Sequence, residues 1–191
     1  MRLSPEERAR VQAALATAQA RTHVRFALMI VPASDRYTMY PLAFAGAAAL
    51  AVGGALAFFW PAIGLQLAFL VEAAAFGVTA VAAEWRPLRL ALVPADEKQS
   101  RARNLAHREF AAGILAARDH GEGLLFFASL GERYVEIVAS RDVHTHVGED
   151  KWAAIVSEFA ARAKTGNLAD AFIAAIDACA NLLATHFPKA I

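Results

Sequence analysis

Two long apolar segments lie back to back in the middle of the chain, and they constrain its fold more than any other feature. They run from Tyr40 to Phe59 and from Ala62 to Ala83, and the first contains no charged residue. Each has about the 20 residues that a helix needs to cross the hydrocarbon core of a bilayer. Trp60-Pro61 and the residues up to Gly64 supply the only turn between them. We therefore predict a transmembrane helical hairpin that enters and leaves the membrane on the same side.

The distribution of basic residues predicts the orientation of this hairpin. Arginine and lysine lie on both flanks and are missing from the turn: Arg21, Arg25, Arg36, Arg86, Arg89, Lys98, Arg101 and Arg103. Basic flanks stay in the cytoplasm. The first residues resemble a capped helix, Ser4-Pro5-Glu6-Glu7, and contain no apolar signal-peptide region. We expect a two-helix, multi-pass protein of the bacterial cytoplasmic (inner) membrane, with both termini in the cytoplasm.

The rest of the sequence predicts one soluble α+β domain, an α/β sandwich of few strands flanked by helices, interrupted by the hairpin. The predicted domain parts are residues 1–35, 36–86 and 87–191. Apolar periodicity predicts helices at Ser4–Ala20, Asp96–Arg118, Glu149–Lys164 and Leu168–Thr185. Short apolar runs predict strands at Val24–Val31, Leu124–Leu130 and Tyr134–Ala139. We expect these strands to share one sheet, with an extended connector at Pro87–Pro94, a turn at residues 119–123 and a loop at Ser140–Gly148.

Composition argues against nucleic-acid binding and against a disulfide framework. A net charge of +1 gives no indication of nucleic-acid binding. The single cysteine, Cys179, cannot form an intramolecular disulfide, and its position on the last helix predicts a buried, inert thiol.

The predicted loop after the third strand carries a cluster of metal-ligand residue types: Asp142, His144, His146, Glu149 and Asp150. On an extended segment His-x-His directs both imidazoles to one face, where nearby carboxylates would complete a divalent site. The alternative is a solvated loop that leads into an acidic helix N-terminus.

The second apolar segment contains Glu72, with Gln66 six residues earlier. A carboxylate inside the bilayer costs about 3 kcal/mol on insertion scales, so Glu72 is expected to be neutral or to face protein. We predict that Glu72 and Gln66 contact a partner protein or a second copy; the alternative is a hydrogen bond within the hairpin. Small residues, among them Gly46, Gly53, Gly54 and Gly77, favour close packing of the two helices.

The run from Gly123 to Ala139, GLLFFASLGERYVEIVA, resembles the hairpin motif of the TPM-domain family, roughly GVLLFVSLAERRVEILAD. Trp152, Gly166 and Phe187-Pro188 fit the same pattern. The resemblance covers about residues 4–32 and 95–188 and implies an α/β sandwich. It also implies varied roles, because relatives are reported in photosystem repair, as receptor modulators and as weak phosphatases, and some bind calcium. The chain departs from the family at Ser140, where Asp is common.

These observations lead to two functional expectations. The first is a non-enzymatic accessory protein that binds a membrane-protein complex and supports its assembly, stability or turnover, with the lipid bilayer as a partner and no resident cofactor. The second is a metal-dependent phosphohydrolase that uses the Asp142–Asp150 segment and a divalent cation such as calcium.

Overall fold

Eight α-helices and three β-strands make up the part of the chain that the computed structural model describes, residues 3–115 and 122–189. In chain order they are α1 (Pro5–Ala20), β1 (Arg25–Val31), α2 (Met39–Phe59), α3 (Leu65–Ala83), α4 (Arg86–Leu92), α5 (Ala95–Phe110), β2 (Gly123–Ser129), β3 (Tyr134–Ala139), α6 (Arg141–Val147), α7 (Glu149–Thr165) and α8 (Leu168–His186). The chain forms two units. The sheet unit comprises the described residues of Met1–Ser34 and Ser100–Ile191, and the helical unit comprises Asp35–Gln99.

The three strands form one sheet in the order β1-β2-β3, which confirms the prediction that they pair. β1 runs parallel to β2, with Phe26 opposite Leu124. β2 and β3 are antiparallel and form the predicted β-hairpin, with Phe126 opposite Ile137. Every residue of the central strand β2 is buried, as its continuous apolar sequence predicts.

Helices cover both faces of the sheet and make the sheet unit a three-layer α/β/α sandwich. Alternate strand residues, such as Phe26, Leu124 and Phe126, face a large core formed with α1, α6, α7 and α8. The intervening residues, such as Leu125 and Phe127, face a smaller core formed with α5 and the π-helical turn Ala111–Leu115 that follows it. This alternation is the period of two that a strand buried on both faces requires.

Local sequence signals fix the ends of the helices around the large core. At the start of α1 the Ser4 hydroxyl accepts from the Glu7 amide at 3.1 Å, and the Glu7 carboxylate accepts from the Ser4 amide at 2.7 Å, which confirms the predicted capping box. Gly166 ends α7, and the side chain of Asn167 caps α8 through the Ala169 amide at 2.8 Å.

The helical unit consists of α2 and α3 packed against each other, with α4 packed at their base. The predicted turn at Trp60–Gly64 is confirmed. Pro41, Ala45 and Ala49 of α2 are buried, and they recur every four residues on one face of that helix.

The structure corrects two sequence-based predictions of local structure. Pro87–Pro94 was expected to be extended, but Arg86–Leu92 is the helix α4; its proline lies in the first turn, where no intrahelical N–H bond is lost. Ser140–Gly148 was expected to be a loop, but Arg141–Val147 is the helix α6. The predicted helix Asp96–Arg118 ends outside the described residues, and most of the predicted turn at 119–123 also lies outside them.

Candidate functional site

The exposed apolar surface of the described residues is concentrated on the helical unit. Its members are Met39, Leu42, Phe44, Leu50, Phe58, Phe59, Trp60, Leu65, Leu67, Phe69, Leu70, Val71, Phe76, Val78, Val81, Trp85 and Leu88. Within residues 3–115 and 122–189, all seventeen exposed large apolar side chains lie between residues 39 and 88. A water-soluble surface rarely carries a contiguous apolar patch of this size, so the distribution marks a surface for lipid or protein.

Three of the described helices, α2, α3 and α8, are long and apolar enough to cross a membrane. Burial separates them into two kinds. Half of the most apolar window of α8 is buried, but only 11% of that of α2 and none of that of α3. The hydropathy of α8 is therefore accounted for by the core of the sheet unit, and that of α2 and α3 has no such explanation within the chain.

Glu72 lies on the face of α3 that packs against α2. A Cβ atom built on Gly53 would lie 3.1 Å from the Glu72 carboxyl carbon and 3.2 Å from each carboxyl oxygen. Glu72 is half-buried, whereas Gln66 is exposed. The two residues that the sequence analysis assigned to partner contact therefore have different surroundings.

Arg89 of α4 bonds to both chain segments that flank the α2–α3 pair. Its guanidinium donates to the Arg36 carbonyl at 3.1 Å and to the Glu84 carbonyl at 3.1 Å, and it pairs with the Glu84 carboxylate. The Arg89 side chain is 17% exposed, so these charge-assisted bonds are partly shielded from water. Because Arg36 precedes α2 and Glu84 follows α3, the chain enters and leaves the helical pair at the same end.

The predicted metal ligands are not brought together. Residues two apart on an α-helix point about 200° apart, so on α6 His144 and His146 do not share a face as they would on an extended segment. All five predicted ligands, Asp142, His144, His146, Glu149 and Asp150, are exposed. Among the residues that the structure describes, no group of three or more His, Cys, Asp or Glu side chains is placed to hold one ion.

The polar atoms of this region have structural partners instead. His146 Nδ1 lies 2.8 Å from the Asp142 carbonyl, one helical turn earlier, and its ring packs edge-on against Phe187. Glu149 and Asp150 occupy the first turn of α7, where carboxylates favour the helix dipole. The hydroxyl of Ser140 accepts from the Gly123 amide at 3.2 Å and so joins β3 to the start of β2.

A polar cluster that the sequence analysis missed lies where β1 and β2 end. The Glu132 carboxylate accepts from the Ser34 amide at 2.8 Å and from the Ser129 hydroxyl. Ser129 is only 1% exposed. The cluster joins the segment after β1 to the β2–β3 turn, where Arg133 adopts a left-handed conformation with φ 54°. Serine and glutamate three residues apart in a short turn are the signal that could have predicted it.

A second polar group lies between β3 and α5. The Glu136 carboxylate accepts from the Tyr134 hydroxyl at 2.9 Å, and its other oxygen lies 3.1 Å from His107 Nε2. Burial of the phenol, together with the adjacent carboxylate, raises the pKa of Tyr134 well above its ordinary value. Tyr134 therefore stays protonated and serves as a hydrogen-bond donor.

Cys179 is fully buried in α8, as its position predicts. Burial raises the pKa of its thiol to about 12, so the thiolate that would react with electrophiles or metals is not formed at neutral pH.

The architecture defines the class of protein, which is an α/β/α sandwich with a three-stranded mixed sheet. A pair of apolar helices is inserted in its sequence between β1 and α5. The family model of the TPM domain matches residues 87–182, about half of the chain, and the chain belongs to that family. The solved structure of the BA42 protein from the psychrophilic bacterium Bizionia argentinensis shares the fold, with a TM-score of 0.55. That similarity covers 98% of this chain and 86% of the other at 13% sequence identity. No curated protein matches the chain.

Proposed function

We propose that this chain is a membrane-anchored accessory protein. The helical pair α2–α3 inserts in the bilayer and holds the TPM domain in the cytoplasm, and the protein binds a membrane-protein complex through the helical pair and supports the assembly, stability or turnover of that complex. The observation that carries the proposal is the confinement of large exposed apolar side chains to residues 39–88. Helices of 21 and 19 residues are about 31 and 28 Å long, which matches a hydrocarbon core of about 30 Å.

The proposed topology is supported by charge and by Arg89. Basic residues flank α2 and α3, and the turn from Trp60 to Gly64 carries none. Because Arg89 bonds to both Arg36 and Glu84, the two flanks lie at one end of the pair. Because basic flanking residues are retained in the cytoplasm, both flanks and the strands that they lead to would then lie on the cytoplasmic side.

Labelling of introduced cysteines tests this topology on a favourable background. Cys179 is buried and unreactive, so the unmodified chain should give almost no signal with a membrane-impermeant maleimide. Ser100→Cys and Ala62→Cys place single thiols at exposed positions after α4 and in the turn. In intact cells Ala62→Cys should be labelled from outside and Ser100→Cys only after permeabilisation. The reverse pattern, or release of the protein from membranes by carbonate, would contradict the proposal.

Partner binding is proposed to use Gln66, which is polar, exposed and in the first turn of α3. A polar side chain within or near the apolar region gains more from a hydrogen bond to another polypeptide than from contact with lipid. Glu72 is the less favourable candidate because its carboxyl group lies against Gly53.

Co-purification in mild detergent, quantified by mass spectrometry, tests the partner role. Gln66→Leu should reduce recovery of the specific partner several-fold, and the protein should stay in the membrane because leucine inserts more favourably than glutamine. Leu67→Ala is the matched control, since Leu67 is an exposed neighbour without a hydrogen-bonding group. If Gln66→Leu retains every protein that the unmodified chain binds, the partner contact does not depend on Gln66.

A further inference from the structure

Glu72 is the only charged residue between residues 39 and 83, and Tyr40 is the only other ionisable residue there. Neither α2 nor α3 therefore offers Glu72 a cationic partner. Glu72 is about 10 Å along α3 from the turn, and Gly53 is about 9 Å from the turn end of α2. The two residues lie at matching depths, well inside the span that the helical pair would occupy in a bilayer.

The contact between them depends on the missing side chain of Gly53. A Cβ atom at position 53 would lie 3.1 to 3.2 Å from the three carboxyl atoms of Glu72, closer than ordinary van der Waals contact. The adjacent Gly54 is exposed, and a Cβ atom there would meet nothing within 4 Å. Two successive glycines thus have opposite surroundings, and only Gly53 makes room for a functional group.

Gly53 continues a row of closely packed positions on α2. Ala45 and Ala49 are buried at the preceding steps of four residues, so Gly53 lies on the face that meets α3. Small residues at this spacing allow two helix backbones to approach closely in an apolar medium. The side chain of Glu72 reaches into this row at Gly53.

We propose that Gly53 and Glu72 form an interhelical docking site, in which the space left by Gly53 holds the carboxyl group of Glu72 and fixes the register of α2 against α3. The packing itself is a property of the helical pair and does not depend on the membrane.

A double-mutant cycle tests the docking site in detergent-solubilised full-length protein. In a Trp152→Phe background, fluorescence of Trp60 and Trp85 follows thermal unfolding of the helical unit. Gly53→Ala should lower the midpoint by about 4 °C or more, and the matched control Gly54→Ala should leave it within about 1 °C. Adding Glu72→Ala to Gly53→Ala should recover most of the loss, because the colliding group is removed.

Equal effects of the two glycine substitutions would overturn the proposal, as would a double variant in which the two losses simply add.

Flotation of the unmodified protein with vesicles separates the two levels of inference. A protein that fails to float contradicts the membrane anchor, while the mutant cycle in detergent still decides whether Gly53 and Glu72 form one packed site.

Discussion

Phe126→Ala is expected to destabilise the sheet unit selectively. Phe126 is fully buried in β2, and its ring packs edge-on against Phe159 at 5.4 Å and Phe172 at 6.0 Å between centroids. Truncation of a buried phenylalanine costs about 3–5 kcal/mol, and part of that loss here comes from two aromatic contacts of about 0.5–1.5 kcal/mol each. With a urea dependence of about 2 kcal/mol per molar, a loss of about 4 kcal/mol lowers the urea midpoint by about 2 M.

Trp152 is the natural reporter for this measurement. It is buried in the same core as Phe126, whereas Trp60 and Trp85 are exposed on the helical unit. Urea unfolding is therefore followed by fluorescence in detergent, in a Trp60→Phe, Trp85→Phe background.

Phe58→Ala is the matched control. Phe58 is 80% exposed on α2, so its truncation should change the unfolding free energy of the sheet unit by less than about 0.5 kcal/mol. If Phe126→Ala costs less than 1 kcal/mol, or no more than Phe58→Ala, the assignment of Phe126 to the central core is wrong. Both variants should remain with the membrane fraction.

Two further predictions concern the contacts around the start of β2. His23 Nδ1 lies 2.9 Å from the Pro188 carbonyl and Nε2 lies 2.6 Å from the Glu122 carboxylate; the carbonyl first, and then the carboxylate, raise the pKa of His23. Its stabilising effect is therefore complete below the unfolded-state pKa of about 6.5 and is lost as pH rises through the higher folded-state value. The free energy of unfolding of the unmodified chain should exceed that of His23→Ala by more at pH 5.5 than at pH 9. The change in this difference between the two pH values should be no more than about 1 kcal/mol, because the His23–Glu122 pair is partly exposed. Equal differences in urea unfolding at the two pH values would contradict this. Gly123→Ala would place a Cβ atom 2.0 Å from Ile114 Cγ2 and should destabilise the sheet unit by about 1–3 kcal/mol, with partial recovery when Ile114→Ala is added; a Gly123→Ala variant as stable as the unmodified chain would show that β2 starts elsewhere.

The elements that the sequence predicts well are those with a strong period or a strong boundary. β2 is recognisable because its apolar run is short and uninterrupted, and β3 because it follows a tight turn. α1 begins at a capping box whose two hydrogen bonds are both present. β1 pairs with β2 across the inserted helices, because β2 is buried and its backbone groups need a hydrogen-bonding partner on the edge that β3 leaves open.

The predicted loop at Ser140–Gly148, which carries most of the predicted metal ligands, was wrong at the level of secondary structure. His144 and His146 suggested an extended segment, but Val143 and Val147, four residues apart, are both buried in the large core. That spacing is the helical period, and it was the stronger signal because burial of two valines contributes more to stability than two exposed imidazoles. A ligand pattern is informative only after the local conformation has been decided.

The depth of Glu72 could be predicted, but its direction could not. Sequence spacing places a residue along a helix, whereas the side it faces depends on how the two helices pack. Gly53 and Gly54 are equivalent in sequence terms, and only their packing distinguishes the one that accommodates a carboxyl group.

The contrast between α8 and the inserted helices rests on polar side chains as well as on burial. Asp170, Asp177 and Asn181 of α8 are exposed at spacings of seven and four residues, so they form one polar stripe along an otherwise apolar helix. Two arginines meet this stripe: Arg10 of α1 bonds to Asp170 at 2.7 Å, and Arg21, which follows α1, bonds to Asn181 at 2.6 Å. Exposed pairs of this kind contribute little to stability, but a helix that carries them cannot enter hydrocarbon without desolvating them. α2 has no such stripe. The only charged residue of α3 is Glu72, whose carboxyl group lies against Gly53. Of the three helices with sufficient length and hydropathy, α2 carries no charged residue and α3 carries one, whereas α8 carries Asp170 and Asp177, so the proposed anchor consists of α2 and α3.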